Sequence, residues 1–435
     1  MRSNSIDQLD FSSKFSAKLP SLKKLRSQSM GRSLVFAWLK SFTVGRLTLI
    51  DHSAEGGEQI QHFGQSQADA TLNATITVND QSCYWDIINK GTLGAGESYM
   101  QGHWSADNLT LVVQLMVSNM DAINSLDKGQ NIFQKMANQV VRFVSANSQL
   151  GSKRNISAHY DLGNDFFSLF LDPTMMYSAA IYEHAEQSLH DASINKLDTV
   201  CQKLQLTEND HLLEIGTGWG GLAIHAAQNY GCHVTTTTLS QEQFDLAEQK
   251  VKALGLEDKI TLLMQDYRDL TGKYDKLVSI EMIEAVGHEF LPSYFKQCND
   301  LLTDNGLMLI QAITISDQRY HWYRKSVDFI QKYIFPGGCL PSTEIISQHL
   351  SKHTDMQMVH LEDITKHYAT TLKDWREAFF DQMDAVKAQG YPEEFVRMWE
   401  YYLCYCEGGF LARTIQTGQY VFAKPNYVEL DHLNK

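Results

Sequence analysis

The segment HLLEIGTGWGGLAIHAA, residues 211–227, constrains the fold of this chain more than any other. A short apolar strand ends at Gly216, three more glycines follow at positions 218, 220 and 221, and helical sequence resumes near Leu222. Glycine tolerates positive φ and lets a ligand approach the backbone closely. Open α/β sheets bind ligands where their strands end and helix amides point outward. The turn therefore predicts a nucleotide-type pocket, with a purely structural Gly-rich turn as the alternative.

Further strands follow this turn in the order that an α/β sheet requires. Residues 233–240, 260–267, 276–283 and 306–315 have strand character, and amphipathic helical sequence separates most of them. This alternation predicts a mostly parallel sheet. An aromatic insertion at 316–355 comes next, and two amphipathic helices and a final strand, QYVFAK, complete the pattern.

A chain of 435 residues is long enough for two or three domains. Residues 1–40 are basic and Ser-rich, which predicts a flexible tail. Residues 41–125 alternate short β-type runs with Gly-rich turns, which predicts a small α+β domain. A helical connector is expected at 126–150 and the α/β domain at 151–427.

Charge is unevenly distributed along the chain. Residues 1–50 hold nine Lys or Arg against two Asp, a net charge of +7, whereas the whole chain carries −14. A basic arm suits an anionic lipid surface. Nucleic acid is a second polyanion that would attract it, but no RNA-binding module accompanies the arm, so we expect no nucleic-acid partner. A plain disordered tail is the remaining interpretation.

Cysteine usage and hydropathy point to a reducing compartment. The seven cysteines are scattered without C-x-x-C pairs, so neither a zinc site nor a disulfide framework is expected. The apolar runs fall well short of the roughly 18 residues that a membrane span needs, and no signal peptide is evident. We expect a cytoplasmic protein without a metal.

Several motifs together resemble one enzyme family. They are AHYDLGNDFFSLFLDPTMMYSAAIY (158–182), the E-x-G-x-G-x-G loop opening on Glu214, DYRDL (266–270), YIFPGG (333–338) and YYLCYCEGG (401–409). This set strongly resembles the cyclopropane-fatty-acyl-phospholipid synthases and their mycolic-acid relatives, over residues 150–425. Residues 42–122 resemble the N-terminal domain of these enzymes, with weaker motifs. The resemblance implies an α/β fold: a class I S-adenosylmethionine (SAM) methyltransferase Rossmann-like sheet with a smaller α+β N-terminal domain.

The resemblance also implies a reaction. A cis double bond in a phospholipid acyl chain attacks the SAM methyl group, a base removes a proton from the new methyl, and a cyclopropane ring closes. Aromatic faces and carboxylates suit the intermediate carbocation. A methyl-branched or methylene product, a small soluble acceptor, and a degenerate lipid-binding protein are the alternatives. We expect a peripheral enzyme on the inner face of the membrane. The sequence leaves open whether it forms a homodimer.

The SAM contacts of the family are carried onto this chain position by position. The hydroxyl and amide groups of Thr238, Ser240 and Gln243 suit a ribose, while Asp266 suits an adenine amino group or caps a turn. The full set is Tyr177, Ser178, Leu212, Glu214, Gly216, Thr217, Gly218, Trp219, Gly220, Thr238, Leu239, Ser240, Gln243, Asp266, Tyr267 and Arg268.

The implied base in the synthases is a bicarbonate ion held in a cage of side chains. In this chain the cysteine position of the cage is Ala179 and the histidine position is Gln311, so bicarbonate is doubtful. The cage positions that match are Glu284, Ile313 and Tyr368.

Glu281 stands where the synthases have a small residue. Two nearby carboxylates repel, which raises one pKa and makes that group a better base near neutral pH. We therefore expect Glu281 to replace bicarbonate, although it is about equally expected to pair with a cation or to bind SAM. Cys406 aligns with the conserved cysteine of the family and is expected to be an inert thiol. Tyr160 is one of many aromatic candidates for a lipid tunnel, and Arg319, Arg324, Lys325 and Lys332 are candidates for contacts with phosphate headgroups.

Overall fold

The computed structural model describes residues 24–54, 57–120, 147, 151 and 162–428, which form two sheets with their helices. The N-terminal domain contains α1 (Lys24–Leu39), β1 (Arg46–Asp51), β2 (Gln59–Gly64), β3 (Asn73–Val78), α2 (Ser82–Lys90), α3 (Thr92–Met100), β4 (Trp104–Ala106) and α4 (Leu109–Ser118). Its strand order is β2-β1-β3-β4, with β1 and β3 parallel and both outer pairs antiparallel. This is the predicted α+β arrangement.

Helix α1 contradicts the flexible tail that was predicted to extend to residue 40. Val35 and Leu39 are 3% and 2% exposed, because α1 lays one apolar side on the N-terminal core. Arg32 also pairs with the buried Asp51 at 2.8 Å. Residues 1–23 and the predicted connector 126–150, except Asn147, lie outside the described residues.

The α/β domain alternates strands and helices. Its elements are α5 (Asn164–Phe167), α6 (Leu189–Lys203), β5 (His211–Ile215), α7 (Gly221–Tyr230), β6 (His233–Thr238), α8 (Gln241–Ala253), β7 (Ile260–Met264), β8 (Tyr274–Ile280), α9 (Leu291–Leu301), β9 (Leu302–Ile315), α10 (Asp317–Tyr323), α11 (Thr343–His353), β10 (Gln357–Asp363), α12 (Thr365–Asp381), α13 (Met383–Ala388), α14 (Glu393–Leu411) and β11 (Ile415–Ala423).

The seven strands are ordered β10-β11-β9-β8-β5-β6-β7. The run from β9 to β7 is parallel, and β11 joins β9 and β10 in antiparallel pairs. The chain order changes direction at β5, since β6 lies on one side of it and β8 on the other. Ligands bind at such a switch point, beyond the carboxyl ends of the strands. The predicted fold class is confirmed.

The two domains are packed tightly against each other. A Cβ at Gly408 of α14 would lie 2.7 Å from Val113 of α4, and a Cβ at Gly96 of α3 would lie 2.5 Å from the Phe329 ring. Such distances leave room only for glycine. Polar bonds cross the same interface, including Tyr99 Oη to Glu400 at 2.6 Å. Within the described ranges, no helix is long and apolar enough to cross a membrane.

Candidate functional site

The Gly-rich loop after β5 forms one end of a cavity. Gly216, Gly218 and Gly220 have φ values of 105°, 52° and 86°, which favour glycine. A Cβ at Gly218 would meet no atom within 4 Å, so this part of the loop faces open space. The N–H groups of Gly216 and Thr217 both donate to the Thr237 carbonyl at 3.0 Å, which anchors the loop to β6.

The cavity has a volume of about 880 Å³. Thirteen of the sixteen residues predicted to contact SAM line it, and the exceptions are Leu212, Gly220 and Ser240. Leu212 is buried within β5, a Cβ at Gly220 would lie 3.2 Å from Ala247, and Ser240 caps α8 through the Gln243 N–H. These three residues thus have structural roles in the strand, the turn and the helix cap.

The polar groups of this region fit an adenosine-type ligand. Thr236 donates to the buried Glu214 carboxylate at 2.6 Å, and burial raises the pKa of Glu214 to about 8. Thr238 donates to the Gln243 amide oxygen at 2.9 Å. Asp266 lines the cavity, caps a short 3-10 turn and pairs with Arg268 at 2.7 Å. The Asp266 carboxylate thus borders the cavity and also stabilises the turn.

Glu281 follows β8 and has a φ of 50°, a left-handed conformation that costs a non-glycine residue about 1–2 kcal/mol. The Ala179 N–H and the Gln311 side-chain amide donate to its Oε1 at 2.9 and 2.8 Å. The Tyr368 hydroxyl donates to Oε2 at 2.7 Å. Three positions aligned with the bicarbonate cage thus bind the Glu281 carboxylate.

Glu284 is the second carboxylate of this region and has a different environment. The Ile313 N–H donates to Oε1, whereas Oε2 is buried and has no hydrogen-bond partner among the described residues. Burial and the charge of Glu281 raise the pKa of Glu284 to about 8. Burial raises the pKa of Glu281 as well, but its three donors oppose that rise. Hydrogen bonds favour the charged form they contact, so we infer that Glu281 loses its proton more readily than Glu284 does.

Gln311 does not line the cavity and supports Glu281 from behind. It is fully buried, and the Gln419 amide donates to its Oε1 at 2.9 Å, which turns its Nε2 toward Glu281. The sequence prediction missed Gln419. Its position in the last strand carries no motif, and only the antiparallel pairing of Gln419 with Gln311 brings the two together.

Lys196 was also missed. Its side chain is fully buried, and Nζ donates to Ser178 Oγ at 3.1 Å and to Met176 Sδ at 3.0 Å. Burial lowers the pKa of Lys196 to about 8. A signal was present in the sequence, because Ala192 and Val200 at i−4 and i+4 are buried and place Lys196 on the apolar face of α6.

The remaining predicted residues have mixed placements. Cys406 lines the cavity, and burial raises the pKa of its thiol. Tyr160 lies outside the described residues. Of the insertion cations, Arg319 and Lys325 line the cavity, whereas Arg324 contacts His288 and Lys332 pairs with Glu97. The aromatic residues that line the cavity are Trp38, Tyr84, Trp104, Tyr177, Trp219, Tyr267, Trp322, Tyr323, Phe335, Tyr368, Tyr401, Tyr402, Tyr405 and Phe410.

Within the described residues, no group of three or more His, Cys, Asp or Glu side chains is placed to hold a metal ion. The polar groups of the cavity include two sets: one beside the Gly-rich loop that suits an adenosine-type ligand, and the Glu281–Glu284 pair beside aromatic rings. The arrangement suits an organic co-substrate and proton removal by a carboxylate.

Comparison with known proteins agrees with this geometry. Residues 147–420 match the family described as mycolic acid cyclopropane synthetase. Tuberculostearic acid methyltransferase UfaA1 of Mycobacterium tuberculosis is 39% identical over 345 residues, covering 78% of this chain and 80% of that protein. The cyclopropane-fatty-acyl-phospholipid synthase of Escherichia coli K12 is 37% identical over 358 residues, covering 81% and 88%.

Solved structures are similar to the α/β domain, residues 151–427, which we call the catalytic domain. The cyclopropane synthase MmaA2 of Mycobacterium tuberculosis gives a TM-score of 0.58 at 30% identity, covering 62% of this chain and 98% of that one. Mycolic acid cyclopropane synthase CmaA1, complexed with SAH and CTAB, gives 0.59 at 31% identity with the same coverage.

Proposed function

Because this chain belongs to the mycolic acid cyclopropane synthetase family and is a SAM-dependent methyltransferase, we propose that it modifies the acyl chains of phospholipids. The proposed reaction adds one carbon to a cis double bond and gives a cyclopropane fatty acid. The observation that supports it best is the hydrogen-bonded Glu281 carboxylate, which lines the same aromatic-rich cavity as the SAM loop. SAM supplies an electrophilic methyl group when it is bound.

We propose Glu281 as the base, in place of bicarbonate. After the double bond has taken the methyl group, the new methyl loses a proton to the Glu281 carboxylate. The electron pair of that C–H bond forms the second C–C bond of the ring, which cancels the positive charge on the chain. The three donors around Glu281 hold its oxygens in position, and the aromatic rings of the cavity stabilise the cation before the proton leaves.

A methyl-branched or methylene chain is a second candidate product. One relative is named as a tuberculostearic acid methyltransferase, and the replaced cage positions Ala179 and Gln311 change the surroundings of the base. If the proton leaves a neighbouring chain carbon, or if a hydride quenches the cation, no ring forms.

Membrane association is part of the proposal. Trp322 is 48% exposed, and the same cavity wall carries Arg319 and Lys325. An aromatic ring with cations suits the headgroup region of an anionic bilayer. We place the enzyme peripherally on the inner face of the membrane.

Deuterated SAM tests the reaction and its product together. The purified protein is incubated with methyl-trideuterated SAM and vesicles of dioleoyl phosphatidylglycerol, and the fatty acids are analysed by gas chromatography and mass spectrometry. A cyclopropane product keeps two deuterium atoms and has the retention time of the ring standard. A methylene product also keeps two but elutes differently, and a methyl branch made by external hydride keeps three. Unlabelled lipid, with SAM intact, would overturn the proposed function.

A further inference from the structure

The cavity extends beyond the catalytic domain into the N-terminal domain. Its lining includes side chains from α1, from the inner face of the four-stranded sheet, and from α2 and α4. Representative members are Val35, Leu49, Ile76, Ile87, Val112 and Met116. The N-terminal domain lies outside residues 147–420, which match the family description, although the matches to the two relatives, over 345 and 358 residues, reach beyond that range.

The N-terminal walls are those of an apolar binding site. Leu47, Leu49 and Val112 are at most 3% exposed to solvent, yet they border open space. Protein interiors are normally close-packed, and an unfilled apolar space forfeits dispersion contacts along its walls. Apolar cavities of this kind stay dry and take apolar ligands. The cost in packing is offset if a hydrocarbon occupies the space.

Charge separates the two halves of the cavity. Arg319 and Lys325 line it on the catalytic side together with Asp328, and neither cation forms an ion pair with a carboxylate among the described residues. On the N-terminal side the lining cation is Lys90, whose ammonium is neutralised by Glu97 at 2.6 Å. A phosphate headgroup therefore suits the wall that carries Arg319 and Lys325, and an uncharged chain suits the N-terminal side.

Interdomain contacts keep the two halves continuous. Lys332 and Tyr333 of the insertion bind Glu97 of α3, and Thr110 of α4 donates to Glu407 of α14 at 2.9 Å. Both carboxylates are buried, so these bonds hold the N-terminal domain against the catalytic domain. A long ligand can then extend from Glu281 into the N-terminal domain within one cavity.

We propose that the N-terminal domain binds the methyl-terminal segment of the acyl chain being modified and thereby selects chain length. This inference rests on the proposed function, because it takes the double bond to lie beside Glu281. The volume fits: about 880 Å³ lies near the upper end of the roughly 300–1,000 Å³ of single-ligand pockets, and SAM takes only part of it.

Two neighbouring isoleucines of α2 give a matched test. Ile87 and Ile88 are both half-buried, but only Ile87 lines the cavity. Ile87→Trp fills the space that the chain end needs. We expect it to lower kcat/KM about tenfold or more on vesicles of oleoyl (18-carbon) phosphatidylglycerol, in line with the roughly 10–200-fold effect of one methylene in a hydrophobic pocket.

The shorter myristoleoyl chain (14 carbons) has its double bond at the same place and is the internal control. On the myristoleoyl chain, Ile87→Trp should keep kcat/KM within about threefold of wild type. Ile88→Trp should change kcat/KM by the same factor on both chain lengths. Equal losses on both chain lengths, or no loss for Ile87→Trp, would overturn the inference. Wild-type protein inactive on both lipids would instead overturn the proposed function.

A labelling experiment on the wild-type protein decides the question if Ile87→Trp does not fold. An oleoyl phosphatidylglycerol with a diazirine at the methyl end is bound in the presence of S-adenosylhomocysteine, irradiated and mapped by peptide mass spectrometry. We expect adducts within residues 35–118. Adducts confined to the catalytic domain would contradict the inference.

Discussion

The catalytic half and the N-terminal half of the cavity are built in opposite ways. In the catalytic half, Glu281 accepts three hydrogen bonds, and Gln419 holds one of its donors, Gln311, in orientation. In the N-terminal half, apolar side chains border open space and the lining cation is already paired with Glu97. The difference teaches that proton transfer needs fixed polar atoms, whereas recognition of a hydrocarbon needs only shape and the exclusion of water. Changes in the two halves should therefore have different kinetic signatures.

The largest effect is expected for Glu281→Gln. The amide keeps the size of the side chain but cannot accept the proton, so kcat should fall by about 10²- to 10⁴-fold. The affinity for SAM, measured by calorimetry, should change little. An unchanged kcat that depends fully on added bicarbonate would contradict the proposed base.

A companion variant, Glu281→Gly, empties the site and removes the left-handed strain at φ 50°. We expect it to be inactive in bicarbonate-free buffer and partly restored by added bicarbonate, because Ala179 N–H, Gln311 and Tyr368 are left as free donors. Wild-type activity should not respond to bicarbonate.

Tyr368→Phe should have a smaller effect of about 10- to 100-fold on kcat, since a hydrogen bond to a charged group contributes roughly 1.5–3 kcal/mol. The Tyr368 hydroxyl favours the ionised form of Glu281, so its loss raises the pKa of that carboxyl further. A base works only when ionised, and activity therefore falls as the pH drops through this raised pKa. The acidic limb of the pH–kcat profile should move to higher pH.

Tyr402→Phe is the matched control for Tyr368→Phe. Its hydroxyl lies 2.9 Å from that of Tyr177, and it lines the same cavity without a hydrogen bond to Glu281. Its pH profile should keep the position of the wild-type limb. Equal shifts for the two variants would show that a general change of the cavity, and not the bond to Glu281, sets the profile.

At the junction of the two halves, Glu97→Gln should lower the free energy of unfolding by about 1–2 kcal/mol, measured by urea denaturation. Glu97 is buried, but Lys90 and Lys332 are each about one-third exposed, so solvent screens much of the loss. Asp86→Asn is the control, because its carboxylate lies 4.0 Å from the same Lys90. Equal stabilities of the two variants would mean that Glu97 does not hold the domains together.

Cys406→Ala should have the smallest effect, with kcat within about threefold of wild type. The thiol borders the cavity, but burial raises its pKa and keeps it protonated, so it offers no nucleophile. The measurement is the initial rate on oleoyl phosphatidylglycerol vesicles. A loss comparable to that of Glu281→Gln would assign chemistry to this cysteine.

The sequence predicted the fold well because its signals are local. Gly-rich turns, strand length and helical periodicity are encoded within a few residues, and β5 to β9 lie close to their expected positions. Helix α1 was not predicted because its basic residues suggested a solvated segment. Its apolar side is formed by Val35 and Leu39, which pack in the N-terminal core.

The sequence predicted most residues of the candidate site but not the hydrogen bonds that join them. The donors to Glu281 lie 102, 30 and 87 residues away in the chain, and no local pattern reports such distances. The sequence suggested Glu281 as a replacement for bicarbonate, but not that Ala179 would act through its backbone N–H. Gln419, Lys196 and the N-terminal end of the cavity depend in the same way on tertiary contacts.

A carboxylate that belongs to the chain never leaves its site. A dissolved ion occupies a site only in proportion to its concentration, whereas a tethered group is present at an effective concentration that the fold sets. With Glu281 as the base, turnover is uncoupled from the inorganic carbon dissolved around the cell. Cultures sparged with carbon-dioxide-free air should therefore contain as much of the modified fatty acid as cultures grown in enriched air.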